Sequence, residues 1–248
     1  MARLHLHSFG DGLAKTLLLH GLGSAGPVWS RIAEGLDNAG HGSLAPDLRG
    51  HGESSRTDDY TLDGYARDVL ASCPGPWDLV IGHSLGGAVA VRAGAIDPEF
   101  AKTFLLVDPA IDLDAAMIAQ LRIDLVAEAE DPPSIDQLVA DHPKWTQEDC
   151  ALKHAAVLAT SPEVMAATLD DNPVWQLGRD LAGIGRPVHI LGADLEPLYA
   201  TTDFDRHTRP GSALAFEVVP GTGHSIYRDD PKTVIDRALN LLGSRVAE

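Results

Sequence analysis

The chain has 248 residues, enough for one α/β domain with a substantial core and an insertion, and nothing in it suggests two independent domains. Its formal charge of −17 repels phosphate backbones and anionic surfaces, which argues against nucleic acid or a membrane as partner. With 44% hydrophobic and 22% charged residues, and no apolar run near the roughly 18 residues of a membrane span, it reads as a soluble globular protein.

The opening stretch, MARLHLHSFGDG, lacks the apolar segment of an export signal, so a cytoplasmic protein is expected. Residues 2–9 alternate as a strand and 16–20 read as a buried one. A helix over 26–40 leads to a strand in HGSLAPD (41–47). Thr61 is placed to cap a helix over 62–73, and WDLVIG (77–82) is the next strand. The segment 85–96 is apolar nearly all round, as a buried helix should be, and TFLLVD (103–108) closes this half. Such alternation predicts a largely parallel sheet.

From Pro109 to Arg186 the rhythm changes to helices without intervening strands. Met117, Leu121 and Leu125 recur at helical spacing, Thr146 with Asp149 resembles a capping box, and Ser161-Pro162 marks another helix start. We expect an inserted helical cap over 109–186, with the core formed by 1–108 and 187–248. Strands return in RPVHILGAD and ALAFEVVPG, and a proline starts a terminal helix at 231. Cys73 and Cys150 show no metal or redox spacing and read as buried free thiols. His5 and His7 share a strand face but have no further ligand at metal spacing, so no metal is expected there.

Gly82-His83-Ser84-Leu85-Gly86 fits G-x-S-x-G between a strand and an apolar helix. A sharp strand-to-helix turn brings backbone segments so close that glycine is needed two residues to either side, and it exposes the hydroxyl above the sheet edge. Ser84 as a mere helix cap would carry the same letters; the flanking elements favour a nucleophile. Upstream, His20-Gly21-Leu22-Gly23 follows a central strand, where the N–H groups of Leu22 and Leu85 could together cradle an oxyanion.

A serine needs a base, and histidine is the usual one. His142 and His154 lie in the helical segment, His189 is inside a strand and His207 sits in a polar stretch. His224, in VVPGTGHSIYRDDP, follows the last strand in a glycine-rich loop and is the best-placed candidate.

Taken together, HGLGS, PDLRGHGESS (46–55), GHSLGG, LLVDPA and GTGHSIYRDDP resemble the α/β-hydrolase fold, of the cap-bearing type, over essentially the whole chain. The resemblance implies a mostly parallel twisted sheet flanked by helices, and catalysis by serine, histidine and an acid without a cofactor. In that family Asp47, Arg49 and His51 occupy a loop where such residues more often make structural hydrogen bonds. Many members place the acid in G-x-x-D after the strand that follows the cap, but here Gly192-Ala193-Asp194-Leu195-Glu196 has leucine at that place. Other branches place it after the preceding sheet strand, which is Asp108 in this chain. Asp108 is therefore favoured, ahead of Asp194 and Glu196.

The expectation is a serine hydrolase of a small-molecule carboxylic ester or lactone, with Ser84, His224 and Asp108 catalytic. Two alternatives stand beside it: a carbon–carbon hydrolase of a diketone, whose relatives often have asparagine where this chain has His83, and a non-catalytic ligand receptor on the same fold. Trp29, Trp145 and Trp175 are candidates for the pocket wall or the core. The sequence leaves the substrate and the oligomeric state open, a homo-oligomer included.

Overall fold

The computed structural model describes residues 1–195, 197–209 and 211–243. In chain order the first half forms β1 (Leu6–Phe9), β2 (Ala14–Leu19), α1 (Ser30–Asp37), β3 (Gly42–Pro46), α2 (Leu62–Ser72), β4 (Leu79–His83), α3 (Leu85–Ile96) and β5 (Phe104–Val107). A short strand β6 (Asp112–Leu113) then leads into helices α4 (Ala115–Glu130), α5 (Ile135–Asp141), α6 (Gln147–Ala159) and α7 (Pro162–Asp170), and β7 (Trp175–Gln176) pairs back antiparallel with β6. The chain finishes through α8 (Gly178–Gly183), β8 (Val188–Ala193), α9 (Thr201–His207), β9 (Leu214–Val219), α10 (Ile226–Asp229) and α11 (Pro231–Gly243).

Seven strands form one sheet in the order β1-β3-β2-β4-β5-β8-β9. Only the edge pair β1–β3 is antiparallel; the others are parallel. Residues alternate across the sheet with the two-residue period of a strand. Leu17, Leu19, Val80, Leu106 and Ile190 pack toward α2, α3 and α8 on one face, while Leu18, Leu79, Ile81, Leu105 and Leu191 pack toward α1 and α11 on the other. β4, β5 and the Leu17–Leu19 end of β2 are thus buried on both faces, which is why they read as apolar runs, whereas the edge strand β9 is largely half-buried or exposed.

β1 is shorter than the expected strand over 2–9. The Ala2 N–H donates to Asp68 and the His5 N–H to Ser54, while the carbonyls of His5 and Arg3 accept from the N–H groups of Asp47 and Ser55, so the first residues are held by side chains and by single backbone bonds rather than by a continuous ladder. Thr61 caps α2 by accepting from the Gly64 N–H, and Thr146 and Asp149 form the reciprocal capping box of α6. At α7 the proline sits at the helix start as expected, but the Ser161 side chain makes no cap bond. Among the described residues no helix is long and apolar enough to cross a membrane.

β2 has β3 on one side and β4 on the other, so the strand order reverses there. The carboxyl edge at such a reversal is where open α/β sheets place their ligand crevice. The loops after β2, β4, β5, β8 and β9 all emerge at that edge, and α4, α6 and α7 are inserted into the chain between β5 and β8.

Candidate active site

Ser84 occupies the turn between β4 and α3 with φ 51° and ψ −118°, a backbone conformation that a non-glycine residue adopts only when its surroundings force it. The glycines explain how it is held. A Cβ on Gly86 would lie 2.1 Å from the Leu19 carbonyl oxygen, and one on Gly82 would lie 2.5 Å from the Gly86 carbonyl oxygen. Ser84 makes no side-chain cap bond to α3, so its hydroxyl is not used as a helix cap.

His224 and Asp108 meet although 116 residues separate them. The His224 Nδ1–H donates to Asp108 Oδ2 at 2.6 Å, which fixes the tautomer and leaves Nε2 as the free lone pair. Asp108, fully buried at the end of β5 with φ 39°, also accepts from the N–H groups of Leu198 (3.1 Å), Tyr199 (3.1 Å) and Ala193 (3.5 Å). Asp194 instead accepts from the Gly221 N–H at 2.8 Å and braces the loop that carries His224. Glu196 lies outside the described residues.

Ser84 and His224 line one cavity of about 300 Å3 together with Leu22, Leu85 and His83. Among the described residues the N–H groups of Leu22 and Leu85 donate to no acceptor, as an anion site requires. Apolar walls come from Leu121 and Leu125 of α4, Leu169 of α7 and Trp175 of β7. Of the candidate tryptophans only Trp175 lines this cavity; Trp29 is buried in the core and Trp145 stacks on His142 at 3.8 Å.

Two buried histidines hold the loop after β2. His20 donates from Nδ1 to the Gly21 carbonyl and accepts at Nε2 from the Leu48 N–H; His51 donates to the Arg49 carbonyl and accepts from the Gly23 N–H. Each ring faces one acceptor and one donor, so each is neutral, and burial pushes their pKa values down to about 4 for His20 and about 3 for His51. His83 is likewise held well below the ordinary histidine value by burial first and by the neighbouring His224 second. Its Nε2–H donates to the His224 carbonyl at 2.9 Å, tying the elbow to the histidine loop.

Asp47 and Arg49 are structural, as the pattern suggested. Asp47 accepts from the N–H groups of Gly26 and Glu53, and Arg49 spans Asp68 and the Gly64 carbonyl. His7 lies 3.1 Å from Asp47 and His5 lies 3.8 Å from Glu53. Among the described residues no group of three or more histidine, cysteine, aspartate or glutamate side chains is placed to hold a metal ion.

A model of the alpha/beta hydrolase family matches residues 16–237. The chain belongs to that family. The lipase LipV of Mycobacterium tuberculosis is 31% identical over 69% of this alpha/beta hydrolase, a match that spans 62% of the lipase's own length. Esterase Rv0045c of the same organism is 28% identical, covering 96% of this chain and 85% of the esterase. Among solved structures, the N-formylmaleamic acid deformylase of Pseudomonas putida superposes with a TM-score of 0.79 at 23% identity, covering 96% of both chains. That likeness establishes the shared fold.

Three features of this alpha/beta hydrolase escape a reading of the sequence. His207 is buried, bonded to Tyr199 and Asp112, and so fastens α9 to β6. Lys153 and Arg228 both line the cavity. In the sequence Arg228 reads only as a charged residue of the polar stretch after His224, and its place at the cavity follows from α10.

Proposed function

We propose that this alpha/beta hydrolase cleaves a carboxylic ester, linear or cyclised as a lactone, through an acyl-enzyme, with no cofactor in any step. The observation that carries the proposal is the 2.6 Å bond from His224 to the buried Asp108, on a ring that shares its cavity with the strained Ser84. The esterase and lipase names of its sequence relatives support the same reaction class.

In the proposed cycle Ser84 Oγ attacks the carbonyl carbon while its proton passes to His224 Nε2. Asp108 holds the imidazole in position and offsets the charge of the imidazolium. The carbonyl oxygen, now an oxyanion, is met by the N–H groups of Leu22 and Leu85, which need no reorganisation because they are already unengaged. As the ester C–O bond breaks, His224 returns the proton to the departing alkoxide. Water then loses a proton to His224, its oxygen attacks the acyl carbon, and Ser84 regains the proton as the acid departs. Residues 109–186 act as the lid: their apolar side chains shape the acyl side of the pocket and set substrate choice.

Intact mass after treatment with a fluorophosphonate probe tests the assignment. One adduct on the wild-type protein and none on Ser84→Ala is expected, together with loss of ester turnover in the variant. An unlabelled wild type, or equal labelling of both proteins, would overturn it.

A further inference from the structure

The cavity beside Ser84 contains a cation without a counter-ion. Arg228 is only 3% exposed, lines the cavity from the one-turn α10, and has its guanidinium between the rings of Trp145 and Tyr227, 4.7 Å from each centroid. Its Nε and Nη2 are buried without a hydrogen-bond partner, and among the described residues no carboxylate lies within ion-pair distance of it. In the guanidinium plane Nε and Nη2 share one edge, the pair of donors that matches the two oxygens of a carboxylate.

The neighbouring acids are engaged elsewhere. Asp149 is bound by Arg31 and by the Thr146 cap, and Asp229 accepts from Trp145 Nε1 and from the Gly223 N–H. The other cation of the cavity, Lys153, is matched by Glu128 at 2.7 Å. Two cation–π contacts recover only part of the cost of burying an unpaired charge. In a chain of net charge −17, an unpaired buried cation at the pocket wall marks a local reversal of sign.

We propose that Arg228 is the subsite for a carboxylate of the substrate. The ester or lactone that this hydrolase takes then carries a second, free carboxylate, with the apolar walls of Leu121, Leu125 and Trp175 holding the carbon chain between the two groups. The inference rests on the hydrolase reading above and names its substrate class.

The test compares the mono-4-nitrophenyl ester of glutaric acid with the same ester methylated at its free carboxylate. For the wild type we expect kcat/KM at least tenfold higher for the free acid. The ratio should fall to unity or below in Arg228→Met, with KM for the free acid carrying most of the loss, and should be partly kept in Arg228→Lys. A wild-type ratio of unity or less, or an Arg228→Met protein that slows both esters equally, would overturn the proposal and leave Arg228 as a packing residue. Calorimetry of glutarate against glutaramide on Ser84→Ala reads the subsite without turnover, and also decides the matter if Arg228→Met does not fold. Saturable binding of glutarate alone supports the subsite; binding of neither overturns it. Glutarate binding by a protein that hydrolyses neither ester and takes no fluorophosphonate would sink the hydrolase reading and keep the carboxylate site.

Discussion

Replacing Asp108 by asparagine removes one oxygen acceptor from a carboxylate whose four described partners are all N–H donors. The amide has two orientations, and both are wrong. With its NH2 at the Oδ2 position it confronts His224 Nδ1 and the Leu198 N–H; turned over, it confronts the N–H groups of Ala193 and Tyr199. The first orientation drives His224 to the other tautomer, which puts the proton on Nε2 and leaves no base toward Ser84. A lost base of this kind costs about 10^4 in kcat, equivalent to about 5.4 kcal/mol of transition-state stabilisation. The second keeps the tautomer but leaves two buried N–H groups facing an NH2, at about 1–3 kcal/mol of stability for each unsatisfied group. The 2.6 Å bond is the shortest of the four, so the conflict cannot be avoided by a small shift.

The assay is steady-state hydrolysis of a 4-nitrophenyl ester by Asp108→Asn and Asp194→Asn, with thermal unfolding of each. Among the described residues the Asp194 carboxylate meets the histidine loop at the Gly221 N–H, a bond that an asparagine oxygen can keep, and its own N–H donates to the Thr222 carbonyl whatever the side chain, so that variant should stay within a few-fold of wild type. An Asp108→Asn enzyme that retains a tenth of wild-type kcat, or an Asp194→Asn enzyme that falls as far as its counterpart, would refute the assignment.

Acid stability follows from the buried neutral histidines. His20 at about 4, His51 at about 3 and His83 all have folded-state pKa values below the unfolded value of 6.5, so the unfolded chain binds more protons once the pH falls below that value. Their contribution is complete above pH 6.5 and is lost as the pH falls toward the folded values, at about 2–3 kcal/mol per pH unit near pH 5 for His20 and His51, with His83 acting in the same direction. Urea midpoints should therefore drop steeply between pH 6.5 and 4.5; a midpoint unchanged from pH 7 to pH 5 would contradict the burial of neutral rings. At the elbow, Gly86→Ala places a Cβ 2.1 Å from the Leu19 carbonyl and 2.6 Å from that of His20, both backbone atoms in the sheet edge. Overpacking of this kind should cost about 3 kcal/mol or more, read as a lower melting temperature or loss of soluble protein, and an unchanged melting temperature would show that the turn is less tight than described.

Much of the edge that carries the candidate site was legible along the chain because its determinants are local. The apolar runs of Leu17–Leu19, β4 and β5 announce strands buried on both faces, and Gly82 with Gly86 announces a turn too close for side chains. Ser84, Leu22 and Leu85 are placed by such short-range constraints, since each sits within three residues of a strand end or helix start. The partner of His224 could not be read in this way. Asp108 and Asp194 both follow sheet strands, and only the register of β5 beside β8, with the turn back through Leu198 and Tyr199, turns the first toward the imidazole and leaves the second on the Gly221 N–H. The same holds for Arg228: its place in the sequence shows a charged residue in a polar loop, whereas its missing counter-ion is a property of everything packed around it. Which charges lack a partner depends on contacts between residues far apart in the chain, and those exist only once the sheet and the helices between β5 and β8 have closed over the site.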